Sequence, residues 1–151
     1  MTIDITQARP PGLPRRLAAM LYDGLLLLGV LFVAVALVVI PYEQVLGSPF
    51  PNQDPLARLI LQGYLLLVSG LYFTYFWIRG GQTLGMRAWR LRVLREDGEP
   101  LRWRDAWVRF LASLLSLVPA GLGFAWILID RERFAWHDRL SRTRLVILAK
   151  R

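Results

Sequence analysis

One carboxylate interrupts the first long apolar run of this chain. Asp23 lies inside an apolar stretch that extends from Leu17 to Ile40, and Arg15 and Arg16 stand just before it. About 20 apolar residues are enough for a helix to cross a bilayer, and this stretch is longer. A charge inside such a helix is costly in hydrocarbon, so it has to face protein or water and needs a partner. The pattern therefore predicts a membrane helix with a candidate site at Asp23.

The composition favours a membrane protein over a soluble domain. Hydrophobic residues make up 55% of the 151-residue chain, and the mean hydropathy is +0.39. We expect apolar spans at about 17–40, 56–78 and 106–129. The net charge is +8, and the basic residues crowd beside these spans, as they do in membrane proteins rather than nucleic-acid binders. The sequence has no cysteine, which excludes disulfides and thiolate metal sites.

The distribution of basic residues also predicts the orientation. The stretch 41–55 (PYEQVLGSPFPNQDP) contains neither lysine nor arginine, whereas arginines precede the first span and follow the second. Cytosolic loops carry the excess of basic residues, so this loop is expected outside and the N-terminus inside. We therefore predict a flexible cytosolic leader at residues 1–14 and a multi-pass membrane domain at residues 15–149.

The third apolar segment is broken in its middle. Pro119–Gly123 (PAGLG) interrupts the run from Ala106 to Ile129, and arginines flank the run on both sides. The positive-inside rule places both flanks in the cytosol, which a re-entrant hairpin would satisfy if protein covers its exposed backbone. A single kinked span is the alternative.

A different pattern occupies residues 82–104. Apolar residues and arginines alternate in Trp89, Arg90, Leu91, Arg92 and Val93. A turn is predicted at 96–100, and the alternation resumes at 101–103, which together indicate a small amphipathic β-hairpin on the cytosolic membrane surface. An amphipathic helix is the competing interpretation of its first half. Residues 143–148 form a further β-type run that could pair with the hairpin.

The predicted fold class is thus an all-α membrane protein. It has two full transmembrane helices, a broken or re-entrant third segment, and the small cytosolic β-hairpin.

The charges near the spans need partners from other segments. Arg16 and Asp23 are seven residues apart on one helical face, which separates them by about 10 Å along the axis. Direct pairs within a helix form at spacings of three and four residues, so this pair is too far apart. Arg109, just inside the third segment, is the predicted partner of Asp23. Asp138 or Asp130 is the predicted partner of Arg16.

Two roles are open for these residues. An Asp23–Arg109 pair could be a structural clip that holds the segments in register, because buried polar groups often fix arrangement. Alternatively, Asp23 binds a proton or a cation on a transport path. His137 lies beside Asp138, where an imidazole can titrate near neutral pH, or it caps a turn or anchors the chain at the interface.

Other chemistry is not expected. The chain contains no phosphate-binding glycine loop, nucleophile elbow or histidine-rich metal spacing, so we predict no enzyme activity, no cofactor and no metal. Arg87, Arg90 and Arg92 are expected to attract anionic lipid headgroups, and no nucleic-acid partner is predicted. If the chain transports a ligand, we expect a homo-oligomer, because one copy offers few walls for a pathway.

Several segments together resemble a known family. They are Arg15-Arg16-Leu-Ala-Ala-Met-Leu-Tyr-Asp23-Gly, Gly81-Gln-Thr-Leu-Gly85-Met-Arg87, Arg109-Phe, and Trp136-His137-Asp138-Arg139. In this order they resemble the RDD family of bacterial membrane proteins, which is named for one arginine and two aspartates. The resemblance covers residues 14–148.

The resemblance implies a role for each of the named charges. Arg16 is the family's arginine, with Arg15 as the adjacent alternative, and Asp23 and Asp138 are its two aspartates. It also implies location in the bacterial cytoplasmic (inner) membrane and transport of a small ligand, with cation/proton exchange in some members.

Overall fold

The computed structural model describes residues 10–118, 121–132 and 134–148, and most of them are helical. In chain order the elements are α1 (Leu13–Leu46), α2 (Pro55–Gly80), α3 (Leu84–Ala88), β1 (Leu91–Arg95), α4 (Trp103–Leu117), α5 (Leu122–Ala125), α6 (Trp136–Leu140) and β2 (Thr143–Ile147). A 3-10 turn at Trp126–Leu128 follows α5. Residues 1–9 of the predicted leader lie outside the described residues.

The chain forms two compact units. One is Gly24–Tyr72, and the other joins the residues up to Asp23 to those from Phe73 onward. The first unit contains most of α1 and α2, and the second contains the remaining elements together with the start of α1 and the end of α2.

The unit Gly24–Tyr72 is built from membrane-type helices. Both α1 and α2 are long and apolar enough to cross a membrane. Large apolar side chains on both helices are exposed, including Leu25, Phe32, Leu37, Leu59 and Ile60. Such a surface is unfavourable in water, but in a bilayer it contacts acyl chains while the helix satisfies its own backbone groups. The prediction of two long apolar helices is confirmed.

The loop between these helices is shorter than predicted. The sequence predicted a loop over 41–55, but α1 continues through Pro41 and ends at Leu46. The helix stops at Gly47, which adopts the left-handed conformation with φ +64° and donates to a carbonyl one turn earlier at 2.9 Å. Asp54 starts α2 by accepting a backbone hydrogen bond at 2.8 Å. Pro41 removes one backbone donor without ending the helix.

The second unit has its own hydrophobic core. Its buried members are Ala19, Trp77, Met86, Leu91, Val93, Leu101, Ala106, Phe110 and Leu145. The rings of Phe73 and Phe110 stack beside them with centroids 6.3 Å apart. This core joins the start of α1 and the end of α2 to α3, α4 and both strands. Every residue predicted for the site belongs to this unit.

The two strands pair with each other across a long stretch of sequence. β1 and β2 are antiparallel, with partners running from Leu91↔Ile147 to Arg95↔Thr143. The predicted small β structure and its pairing with the run at 143–148 are therefore confirmed.

The prediction of a local hairpin, however, is wrong for its second strand. Residues 101–103 do not form a strand, because α4 begins at Trp103 and the Asp105 carboxylate accepts from the Arg102 amide at 3.1 Å. The predicted turn is present, with Gly98 at φ +84°. The short helix α3 precedes β1, where an amphipathic helix was the competing interpretation.

The predicted break in the third segment is confirmed. The axes of α4 and of the helical stretch Leu122–Leu128 differ by 106°. Gly121 adopts φ +79° just before α5. Gly123 packs directly on α4, since a Cβ there would lie 2.6 Å from the Ser116 Cβ. Pro119 lies outside the described residues.

The register of the sheet can be tested by cross-linking, because the chain contains no cysteine. Leu91→Cys combined with Ile147→Cys should form a disulfide on mild oxidation, since cross-strand partners have Cα atoms within the range of about 4.4–6.8 Å that disulfides need. Loss of both free thiols, measured by mass spectrometry, reports the bond.

The matched control moves one cysteine along the same strand. Arg95→Cys with Ile147→Cys should stay reduced, because the register separates these positions by about 13 Å along the strand. A cross-link in the control pair, with none in the first pair, would contradict the register.

Candidate functional site

Asp138, on α6, is shared by two arginines from distant segments. Its Oδ2 accepts from Arg16 Nη1 at 2.6 Å, and its Oδ1 lies 2.8 Å from Arg109 Nη1. Oδ2 also accepts from the Ala135 amide at 3.1 Å, which fixes the first turn of α6. The exposed fractions are 5% for Arg16, 4% for Arg109 and 0% for Asp138. These three residues, here called the charge cluster, join α1, α4 and α6.

Arg109 connects the charge cluster to the sheet and to α2. Its Nη1 donates to the Thr143 hydroxyl, at the first residue of β2, over 2.5 Å. Its guanidinium carbon lies 5.3 Å from the centroid of the Trp77 ring, a cation–π contact. The Ser141 hydroxyl lies 2.7 Å from that of Thr143 and donates to the His137 carbonyl. The turn between α6 and β2 is thereby held against Arg109.

The charge cluster keeps Asp138 ionised. Burial acts to raise the pKa of the Asp138 carboxyl, but the positive charges of Arg109 and Arg16 outweigh it and hold the pKa well below its usual range. A buried carboxylate between two guanidiniums is stable only while both partners remain in place. Asp138 is therefore suited to holding structure and unsuited to exchanging protons near neutral pH.

His137 is neutral at physiological pH. Burial lowers the pKa of the imidazole to about 3; Asp138 acts to raise the pKa, and the positive charges of Arg109 and Arg16 act with burial to lower it. The imidazole packs against the Phe124 ring, with centroids 4.6 Å apart. The expectation that this residue titrates near neutral pH is wrong for the folded protein, because packing removes the imidazole from water.

Asp23 has different surroundings from Asp138. Its Oδ2 accepts from the Thr83 hydroxyl, and its Oδ1 accepts from the Gly85 amide at 2.8 Å. The Thr83 hydroxyl also accepts from the Met86 amide at 3.2 Å and so caps the start of α3. Asp23 is buried. Its hydrogen-bond partners in the described part of the chain are thus uncharged donors.

The contact between α1 and α3 requires a glycine. A Cβ on Gly85 would lie 2.4 Å from the Ala19 carbonyl oxygen and 2.8 Å from the Asp23 Cγ. No larger residue fits there without a shift of backbone. Gly81 has a separate role, since it turns the chain out of α2 with φ +68° and accepts from the Val93 amide at 2.7 Å.

The structure separates the predicted pairs. The Arg16–Asp138 contact is confirmed, and Arg15 is exposed, which selects Arg16 as the arginine of the site. The Asp23–Arg109 pair is wrong. Arg109 faces α6 and β2, where it contacts Asp138 and donates to the Thr143 hydroxyl. Asp23 faces α3 instead.

The other predicted charges lie outside the charge cluster. Asp130, the alternative partner for Arg16, contacts Arg139 at 2.5 Å. Arg87 and Arg90 are exposed, and Arg92 is half-buried on β1. Among the described residues, no group of three or more His, Cys, Asp and Glu side chains is placed to hold a metal ion.

Sequence reasoning missed four site residues: Thr83, Gly85, Ser141 and Thr143. The signal was present in Gly81-Gln-Thr-Leu-Gly85, where a threonine two residues before a glycine can cap a helix that starts beside another segment. Ser141 and Thr143 carry no such signal, because single hydroxyl residues are common in turns.

The charge cluster should dominate the stability of its unit. Asp138→Asn leaves two buried guanidiniums without their carboxylate, and we expect the free energy of unfolding to fall by about 3–5 kcal/mol. Denaturant unfolding in detergent measures this change.

Arg15→Gln is the matched control for the charge cluster. Arg15 is exposed and adjacent to Arg16, so its loss should change stability by less than about 0.5 kcal/mol. Equal effects of the two substitutions would show that burial of the charge cluster contributes nothing.

The buried imidazole predicts a pH dependence. With a folded pKa of about 3 for His137 and an unfolded pKa near 6.5, the unfolded state binds more protons between these values. Stability should therefore fall as the pH drops below 6.5, by about 1.4 kcal/mol per pH unit. Thermal unfolding at pH 7 and pH 5 should show this loss in the natural chain, and His137→Asn should flatten it. The same slope in both proteins would contradict the assignment.

Comparison with known proteins identifies the family of the chain. A family model described as the RDD family matches residues 10–142, which include Arg16, Asp23 and Asp138. No curated protein and no solved structure matches the chain. The match spans most of the chain, from just before α1 to the residue before β2. With its long apolar helices, the chain is a membrane protein that belongs to the RDD family.

Proposed function

We propose that this protein exchanges protons for a monovalent cation or another small ligand across the membrane, with Asp23 as the ionisable group. One observation carries the proposal: Asp23 lies in α1, which is long and apolar enough to cross a membrane, and accepts hydrogen bonds from the Thr83 hydroxyl and the Gly85 amide, while Arg16 and Arg109 bind Asp138. Ionisable residues inside spans are expensive and are typical of proton and ion pathways.

Uncharged partners allow Asp23 to change its protonation state. A hydroxyl can donate to a carboxylate or accept from a carboxylic acid, so Thr83 can bond Asp23 in both states. The Gly85 amide can continue to donate to the oxygen that carries no proton. Within residues 10–118, 121–132 and 134–148, Asp23 forms no ion pair that proton uptake would break, whereas proton uptake at Asp138 would remove the shared partner of two arginines.

The charge cluster supports this function as a structural clip. It holds the start of α1 beside α4 and α6, close in sequence to Asp23. The proposed activity involves no covalent chemistry and is not enzymatic. Because one chain offers few walls for a pathway, we propose that it works as a homo-oligomer.

The proposed topology places the N-terminus and the paired strands in the cytosol, at the bacterial inner membrane. The loop Gly47–Asp54 has no lysine or arginine, whereas arginines are frequent in 79–104 and 131–144, as the positive-inside rule requires. The strands that flank α4–α6 pair with each other, so both ends of the bent segment lie together. This supports a re-entrant path for α4 and α5, with Gly123 packed back on Ser116.

A membrane scaffold or accessory subunit is the second candidate. It is favoured because the oxygens of both buried carboxylates already have partners within the chain. Those of Asp138 contact Arg16 and Arg109, and those of Asp23 accept hydrogen bonds at the start of α3. Such a protein would carry no flux, and its charged residues would serve assembly alone.

Ion flux in proteoliposomes tests the proposal. Asp23→Asn should abolish cation flux driven by a pH gradient, because the amide keeps the shape of the side chain but cannot exchange a proton. Asp54→Asn is the control, since Asp54 lies in the loop before α2 and asparagine also caps helices. Flux that is unchanged by Asp23→Asn would reject the role of Asp23.

Stability measurements distinguish the scaffold from the transporter. A scaffold predicts that the natural chain carries no flux of sodium, potassium or protons, and that Asp23→Asn lowers the folded yield. Adding Arg109→Gln should not restore that yield, because Asp23 and Arg109 bind different partners and their effects should add.

A further inference from the structure

A charged cavity is lined by none of the residues of the charge cluster and not by Asp23, although Ser141, beside Thr143, forms part of its wall. Its volume is about 620 Å³, and it is an open cavity lined by the end of β1 and the turn that follows it, the start of α4 and the end of α6. The charged residues that line it are Arg95, Glu96, Asp97, Arg104, Asp105 and Arg142. Val108 and Leu140 give it an apolar wall. Cavities of this size are typical of small-molecule and headgroup sites.

The cavity is held open by backbone and ionic contacts. The Glu96 amide donates to the Arg142 carbonyl at 3.2 Å, which ties the turn after β1 to the turn after α6. Arg95 contacts Asp97 at 2.9 Å and Asp105 at 3.6 Å. Arg95 therefore pairs with carboxylates of the cavity wall itself. In the described part of the chain, no ion pair involves Arg104 or Arg142, and both are exposed.

An apolar stripe on α4 leads away from the cavity. Arg104, Val108, Leu111 and Leu115 recur at intervals of four, three and four residues, which places them on one helical face. Val108 lines the cavity, and Leu111 and Leu115 are exposed. The stripe is about 16 Å long, close to the roughly 15 Å depth of one leaflet's hydrocarbon.

The charges of the cavity favour a zwitterionic ligand over a simple anion. Its lining has three arginines and three carboxylates, and Arg95 pairs with Asp97 and Asp105 within the wall, which leaves Arg104, Arg142 and Glu96 to meet a ligand. A ligand with a phosphate for the two arginines and an ammonium group for Glu96 complements both signs, whereas a purely anionic ligand would place a like charge beside Glu96. Arginine binds phosphate oxygens in a planar fork, and carboxylates accept from an ammonium group.

We propose that the cavity and the α4 stripe bind one zwitterionic phospholipid with an ammonium headgroup. Arg104 and Arg142 hold the phosphate, Glu96 faces the ammonium, and an acyl chain lies along Val108, Leu111 and Leu115. The proposal rests on α4 lying at the membrane, as in the topology above, and it does not depend on ion exchange at Asp23.

Lipid binding to the purified full-length chain tests this site. In detergent, native mass spectrometry should show one retained dioleoylphosphatidylethanolamine, and adding this lipid should raise the Tm more than adding dioleoylphosphatidylglycerol. Arg104→Gln with Arg142→Gln should weaken the retention about tenfold or more, because the charge-assisted bonds to phosphate are lost. Equal effects of the two lipids, or no effect of the double substitution, would overturn the proposal.

Three further measurements of binding test the location of the site, the role of the acyl chain and the independence from Asp23. Arg87→Gln with Arg90→Gln, which removes two exposed arginines outside the cavity, should leave retention unchanged. A loss in that control equal to the loss in the cavity variant would reject the cavity as the site. Soluble phosphoethanolamine should bind far more weakly than the lipid, and binding of equal strength would reject the acyl stripe. Asp23→Asn should keep lipid retention, so this proposal and the exchange proposal fail separately.

Discussion

The structure depends on one buried carboxylate that two arginines share. Asp138 lies 122 residues from Arg16 in sequence, and the two meet in a place with almost no exposure to water. A buried charge is tolerated when it is paired and hydrogen-bonded, and it is costly when a partner leaves. Separation of α1, α4 and the short α6 would therefore expose a charge or leave it buried without its partner. The hydrophobic core and the sheet assemble around that constraint.

The two buried aspartates have contrasting surroundings. Asp138 is held by guanidiniums, whose positive charges lower its pKa and favour the ionised form. Asp23 is held by a hydroxyl and a peptide amide, which stabilise it by hydrogen bonding alone. Pairs of identical groups in contrasting environments are a common way for proteins to separate stability from proton chemistry. The nearby His137 also keeps one protonation state near neutral pH, because burial lowers its pKa and favours the neutral imidazole.

Sequence reasoning recovered the features that depend on charge and hydrophobic pattern. The two long helices and the contact of Arg16 with Asp138, one of its two predicted partners, follow from where charges interrupt or flank apolar runs, and the break after α4 follows from the proline and glycines of 119–123. The sequence did not predict the partners of Asp23. A buried carboxylate can accept hydrogen bonds from any nearby amide or hydroxyl, and such groups do not stand out in a sequence. The local hairpin failed for a different reason. Short turns favour pairing of neighbouring strands, but here helix capping by Asp105 and packing of the core select a strand from residues 143–147.

The pairing of β1 with β2 has a consequence for how the protein is made. β2 follows α1 to α6 in the sequence, so the sheet and the Asp138 contacts form after α1, α2 and α4 have been synthesised. Arg16 and Arg109 are synthesised before Asp138, so neither can form its ion pair until Asp138 has been added. Contacts between residues so far apart in sequence form slowly. A ribosome-bound chain that has not reached Asp138 has its long helices but lacks the contacts that lock them. Arrival of residues 138–147 therefore marks the transition from an inserted chain to a folded one.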